Sequence, residues 1–196
     1  MVISLVTMDA RSDQELIRAY RGGDDRALNI LIQRHLAGVY RFLYRLVGEA
    51  STAEDLAQET FLKMWHNLRR YDTTRPFKAW LLAIARHTAV DYLRKKKPLT
   101  FSQLETEDGQ GLEETLADEQ PLPPEILARA DAAQLLADAL ATLNPQASAV
   151  VLMHETEELT FQEIAEAVDE PLNTVKSRYR RAILQLQKYL SDQISF

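Results

Sequence analysis

At 196 residues the chain is long enough for one large or two small folded domains, and its 46% hydrophobic content is ordinary for a globular protein. It contains no cysteine, which excludes disulfides, a thiolate nucleophile and a cysteine-based zinc site and fits a reducing compartment such as the cytosol. The net charge of -6 excludes a uniformly basic nucleic-acid binder, but the acids are concentrated. Between Gln103 and Asp131 nine acidic residues stand against Arg129 alone, so the flanks are slightly basic.

MVISLVTM at the start lacks the length, basic region and cleavage site of a signal peptide, and none is expected. No run approaches the roughly 20 apolar residues of a membrane span, so no membrane attachment is expected. Ser12 and Glu15 have capping-box spacing and predict a short helix ending at Gly22-Gly23. Asp24 can cap the next helix, from about Arg26 to Val47. Its apolar positions include Leu28, Leu31, Leu36, Val39, Phe42 and Leu46, and Gly48 closes it.

Ser51 and Glu54 repeat the capping-box spacing. Leu56, Ala57, Phe61, Met64, Trp65 and Leu68 then form a stripe expected in the core. Asp55, Gln58, Glu59 and Leu62 form a different stripe, one hydrophobe beside two carboxylates and an amide. It reads either as a solvated face with acids near a helix N-terminus or as a docking face anchored by Leu62.

Tyr71 to Pro76 is a loop, with Asp, two Thr and Pro breaking the helical pattern. It leads into Phe77 to Lys97, a helix in which Phe77, Trp80, Leu81, Ile84, Ala85, Thr88 and Tyr92 make an apolar face. Ala83, His87, Val90, Arg94 and Lys97 lie on another stripe, and the helix ends in Arg94-Lys95-Lys96-Lys97 before Pro98. That second side suits a polyanion such as a nucleic-acid backbone. A basic end that merely complements its own helix dipole is the alternative.

Periodicity vanishes from Pro98 to Pro124, where the segment is acidic, holds Gly109 and Gly111 and ends in PLPP. The expected organisation is a helical domain over 12–97, a flexible acidic linker over 98–124 and a second helical domain over 125–191. In the second domain Glu125 to Leu143 is Ala/Leu-rich, and Asn144-Pro145 starts another helix. Thr160 and Glu163 make a third capping box before Phe161, Ile164, Ala165 and Val168. A turn over Asp169 to Leu172 follows, and Asn173 is expected to cap a final helix. Val175, Tyr179, Ala182, Leu186 and Leu190 face inward, while Asn173, Thr174, Ser177, Arg180 and Arg181 face away with Lys176 at the margin. Two helices, a short turn and a cationic second helix predict a helix-turn-helix; a plain hairpin with a solvated basic face is the alternative.

Nothing here predicts an enzyme, a metal or a cofactor. HETEE lacks the second histidine of HExxH, and His35, His66, His87 and His154 share no ligand spacing. No phosphate-cradling glycine loop or nucleophile elbow occurs.

Three motifs in this order resemble the bacterial extracytoplasmic-function (ECF) RNA polymerase sigma factors, group IV of the sigma-70 family. AEDLAQETFLKMW resembles the segment that grips the clamp helices of RNA polymerase. FKAWLLAIARHTAVDYLRKKK resembles the part that recognises and melts the -10 promoter element, and LTFQEIAEAVDEPLNTVKSRYRRAI the -35-binding helix-turn-helix. The resemblance implies an all-α fold, with a sigma2-like bundle and a sigma4-like domain joined by the linker. It implies a cytoplasmic protein with core RNA polymerase and promoter DNA as partners, and it is compatible with an anti-sigma factor. Asp55, Gln58, Glu59 and Leu62 would face polymerase. Tyr71, Ala83, Arg86, His87, Arg94 and Lys95 would lie on the -10 strand. Thr174, Lys176, Ser177, Arg180 and Arg181 would meet the -35 duplex. The sequence departs from the family at His87, where many relatives have Asn, at Asn173, where Gly is usual, and at the more acidic Asp169-Glu170-Pro171. A stand-alone helix-turn-helix regulator is the alternative, and it leaves the first 97 residues without a role. The sigma-factor reading expects two separate heads whose cations stay free of internal ion pairs.

Overall fold

The computed structural model describes residues 9–96 and 124–194. Those residues form eight helices, with no strand among them: α1 Asp13–Arg21, α2 Asp25–Val47, α3 Ala50–Leu68, α4 Phe77–Lys96, α5 Pro124–Ala141, α6 Pro145–Glu155, α7 Phe161–Val168 and α8 Leu172–Ile194. The all-α expectation holds. The linker expected over 98–124 lies almost wholly outside the described residues.

Local chemistry sets most helix ends. The Ser12/Glu15 and Thr160/Glu163 boxes both form, each hydroxyl accepting from the third-residue N–H while the glutamate accepts from the cap N–H. Asp24 and Asn144 cap α2 and α6 through their side chains. Gly48 ends α2 with φ 76°, a left-handed conformation that glycine adopts without a Cβ penalty.

Two expected caps do not form. α3 begins at Ala50, and Ser51 and Thr52 donate backwards to Glu49 at 3.1 and 2.8 Å instead of capping forwards. Asn173 lies inside α8, because the Pro171 carbonyl already accepts from the N–H groups of Thr174 and Val175. Trp65, expected in the core, is 45% exposed and its indole donates to the Tyr20 hydroxyl at 2.7 Å. Trp80, also assigned to the core, is half-buried and packs against it.

α4 is the central helix. It packs against α2 and α3 on one side and against α6 and α7 on the other. Buried residues consequently run nearly all round it: Leu81 and Ala85 on the expected face, but also Ala79, Leu82, Ala83 and Arg86. The buried side chains of the first and second halves belong to one hydrophobic cluster. The expectation of two separated heads is therefore not met in this state.

The loop into α4 is fixed by aromatic packing. Tyr71 lies 5.6 Å from Phe77 edge-on and 4.6 Å from Trp80, and His35 meets Phe77 edge-on at 5.2 Å. The Tyr71 hydroxyl donates to the Arg75 carbonyl, while Arg21 donates to the carbonyls of Leu68 and Tyr71. Burial, followed by the nearby charges of Asp72 and Asp13, pushes the Tyr71 phenol up to about 12, so it remains a neutral donor. Tyr71→Phe keeps the ring contacts and loses one hydrogen bond. It is expected to lower stability by about 1 kcal/mol in denaturant unfolding, with the helical content unchanged.

At the other end of this cluster Asp13 accepts from Arg34 at 2.7 Å and lies 2.8 Å from the His35 ring nitrogen. Burial pushes its carboxyl up, but the His35 and Arg34 contacts outweigh this and hold it below the usual carboxylate value. A depressed carboxylate stabilises the fold above its unfolded value, and that contribution is lost as pH falls through the folded one. The unfolding midpoint should therefore drop between about pH 5 and pH 3, and Asp13→Asn should flatten that part of the curve.

Candidate nucleic-acid and partner interfaces

Three surfaces carry the sequence-predicted residues, and the structure treats them differently. On α3, Asp55, Gln58, Glu59 and Leu62 are all exposed, Leu62 by 56%. Helical spacing places them on one side of α3, opposite the buried Leu56, Ala57 and Phe61. Glu59 pairs with Lys63 at 2.7 Å one turn on, whereas Asp55 has no ion pair among the described residues. An exposed apolar side chain ringed by carboxylates and an amide is a surface suited to a basic, partly apolar partner.

On α8 the helix-turn-helix geometry is present. α7 ends at Asp169 in a left-handed conformation with φ 55°, and α8 starts at Leu172. Val175 and Ala182 anchor α8 in the core, and Tyr179 packs edge-on against Phe161 at 4.9 Å. The opposite side brings Asn173, Lys176, Ser177, Arg180 and Arg181 together around one shallow cleft. Ser177 donates to the Thr174 carbonyl at 3.0 Å, which places Thr174 beside the cleft. Lys176, Arg180 and Arg181 are exposed and have no ion pair among the described residues, so their charge faces outward. Free cations flanked by hydroxyl and amide groups can grip phosphates and read base edges.

The α4 surface is divided. Arg94 and Lys95 are exposed at its basic end, with Arg94 near Asp91 at 3.1 Å. His87 is exposed, and desolvation followed by the Arg86 charge holds its imidazole below the ordinary histidine value. Tyr71, Ala83 and Arg86 are buried, at 5%, 3% and 4% exposure. Arg86 donates to Glu170 at 3.0 Å, and Arg178 approaches the other oxygen of the same carboxylate at 2.6 Å. Lys78, two turns before Arg86, donates to the Glu157 carbonyl at 2.8 Å and pairs with its carboxylate at 3.0 Å. The α4 face expected to meet DNA thus carries two ion pairs to the second half of the chain.

Sequence reasoning missed Lys78, Glu157, Glu170 and Arg178 as contact residues. Only Glu170 left a trace, in the unusually acidic turn before α8. Among the described residues no group of three or more His, Asp or Glu is placed to hold a metal ion, and no helix is long and apolar enough to cross a membrane.

Comparison with known proteins gives these surfaces a family. The Sigma-70 region 2 model matches residues 31–98 and the Sigma-70 region 4 model residues 133–186. The chain is 30% identical over 179 residues to the ECF RNA polymerase sigma factor SigW of Bacillus subtilis, covering 90% of this chain and 95% of that protein. It is 32% identical over 166 residues to the ECF RNA polymerase sigma factor SigL of Mycobacterium tuberculosis, covering 84% and 89%. Two solved structures share the fold. CnrH in complex with the cytosolic domain of CnrY has a TM-score of 0.68 at 21% identity, covering 93% of this chain and 99% of that one. The sigma factor RpoE of Bartonella quintana, solved with the anti-sigma factor NepR, has a TM-score of 0.59 at 22% identity, covering 82% and 94%. The two matched regions flank the acidic segment in the order of the exposed α3 stripe, the basic α4 helix and the α8 cleft, and the chain belongs to the ECF RNA polymerase sigma factors.

Proposed function

We propose that the chain is a cytoplasmic transcription initiation factor that binds core RNA polymerase and directs it to promoters with a -10 and a -35 element. The observation that carries this reading is the distribution of exposed chemistry over the two matched regions. One region presents an acidic stripe with an apolar anchor, and the other a cleft of unpaired cations. The protein supplies recognition and strand capture, and polymerase supplies the chemistry; no catalytic group of its own is needed.

Roles follow the surfaces. Asp55, Gln58, Glu59 and Leu62 dock on the polymerase clamp. Lys176, Ser177, Arg180 and Arg181, with Thr174 beside them, enter the major groove at the -35 element. Tyr71, Ala83, Arg86, His87, Arg94 and Lys95 receive the separated -10 strand, where backbone cations and a pocket offset the few kcal/mol of unstacking each flipped base. The working units are 12–97 and 125–191, tethered by 98–124. An anti-sigma protein that covers the α3 stripe would silence the factor, and the RpoE complex with NepR supports a partner of that kind.

Asp55→Lys with Glu59→Lys tests the first role. Both side chains are exposed, so circular dichroism and thermal unfolding should be unchanged while polymerase affinity falls roughly tenfold or more. Arg180→Glu with Arg181→Glu should leave polymerase binding intact and abolish transcription from a promoter defined by mapping transcript starts after overexpression. Intact promoter-specific transcription by both double variants would refute the assignment.

A further inference from the structure

The contact between α4 and the α7–α8 turn adds ion pairs to the hydrophobic cluster that the two halves share. Arg86 and Arg178 come from different halves of the chain and converge on one carboxylate, Glu170, at 3.0 and 2.6 Å. Nε of Arg86 is buried without a hydrogen-bond partner, and Nη1 of Arg178 and the Glu170 oxygen it approaches form an ion pair without hydrogen-bond geometry. Two arginines on one anion, with a donor left over, is the arrangement that a phosphate with more acceptor oxygens would satisfy more fully. The second pair, Lys78 with Glu157, has the same polarity: base on α4, acid on the second half. Ala83, between Lys78 and Arg86 in the sequence, is buried.

We propose that Glu170 acts as an internal substitute for a nucleic-acid phosphate: by bridging Arg86 and Arg178 it latches the second half against α4 and keeps the Arg86 part of the strand-binding face closed. This inference rests on the sigma-factor reading of α4. Removing the anion leaves two guanidinium groups facing each other without compensation. Separating the two halves relieves that repulsion and returns both cations to water, at the cost of exposing the part of the shared hydrophobic cluster between them, and it does not require either half to unfold. The residues 97–123 between α4 and α5 can span up to roughly 90 Å when extended, so they permit the separation. An incoming single strand competes for the same arginine and therefore binds only the open form. The α3 stripe is exposed while the latch is closed, so polymerase can dock first.

The absence of cysteine makes the test direct. Asn67→Cys and Lys188→Cys, both at exposed positions, place a fluorophore pair on the full chain for distance measurement. Glu170→Gln should shift the population to longer distances with far-UV dichroism preserved. It should also tighten binding of a short random-sequence single-stranded DNA, by about tenfold if the open fraction rises from a tenth to nearly all. Glu166→Gln removes one charge from the exposed side of α7 and is the control for charge alone. Lys78→Glu should open the chain independently, and Lys78→Glu with Glu157→Lys should close it again. An unchanged distance in Glu170→Gln, or a DNA gain matched by Glu166→Gln, overturns the latch. Core polymerase binding, measured in parallel, reports on the sigma-factor reading separately: opening and tighter DNA binding with no polymerase affinity would sustain the latch and defeat that reading.

Discussion

A guanidinium inside a protein needs a counter-charge, because desolvating an unpaired cation costs several kcal/mol. Arg86 is that cation here. Burial pushes its pKa down, yet an arginine titrates so far above neutrality that it stays charged, and Glu170 answers it. The tertiary arrangement depends on this match. On its second side α4 carries two cations that each meet an acid, Arg86 with Glu170 on the α7–α8 turn and Lys78 with Glu157. Arg178 joins from α8, so a single carboxylate on the α7–α8 turn meets cations from α4 and α8.

This arrangement separates the proposed contact surfaces by exposure. The α3 stripe and the α8 cleft are open to solvent, with their apolar anchor and cations unoccupied by internal partners. On α4 the Arg86 and Ala83 positions are buried while His87, Arg94 and Lys95 stay exposed. A factor that must find polymerase and duplex DNA before it touches a melted strand gains from that order, since a free, exposed strand-binding face would attract any nucleic acid by charge alone. The contact combines a shared hydrophobic cluster with two ion pairs, the one at Arg86 buried.

The helices themselves were legible because their signals are local. Capping boxes at Ser12 and Thr160, the glycine at the end of α2 and the 3.6-residue stripes that carry Phe42 in α2, Phe61 in α3 and Ile164 in α7 each act within a few residues. Where local signals competed, the pattern misled. Ser51 has a partner behind it, in Glu49, as well as ahead, and it donates backwards. Asn173 looked like a cap, but the Pro171 carbonyl had already begun the helix. Trp65 fits the period of the core and still lies at the surface, because its indole N–H is satisfied by Tyr20 at the rim. The exposed stripes on α3 and α8 were legible for the same reason as the helices: residues on the side opposite a buried stripe face solvent unless something covers them.

The amino-acid order alone determined the all-α class, the start and stop of most helices, the acidic composition of the middle of the chain and the two exposed stripes on α3 and α8. Each of these follows from interactions between residues close in sequence. The tertiary structure alone decided that the second side of α4 is covered, that Ala83 and Arg86 are hidden, and that Lys78 and Arg86 find Glu157 and Glu170. Those partners are 79 and 84 residues apart along the chain, beyond the reach of any periodic pattern. A charge written in a sequence has a sign but no address; only the packing of α4 against α6 and α7 brings the opposite charge to it.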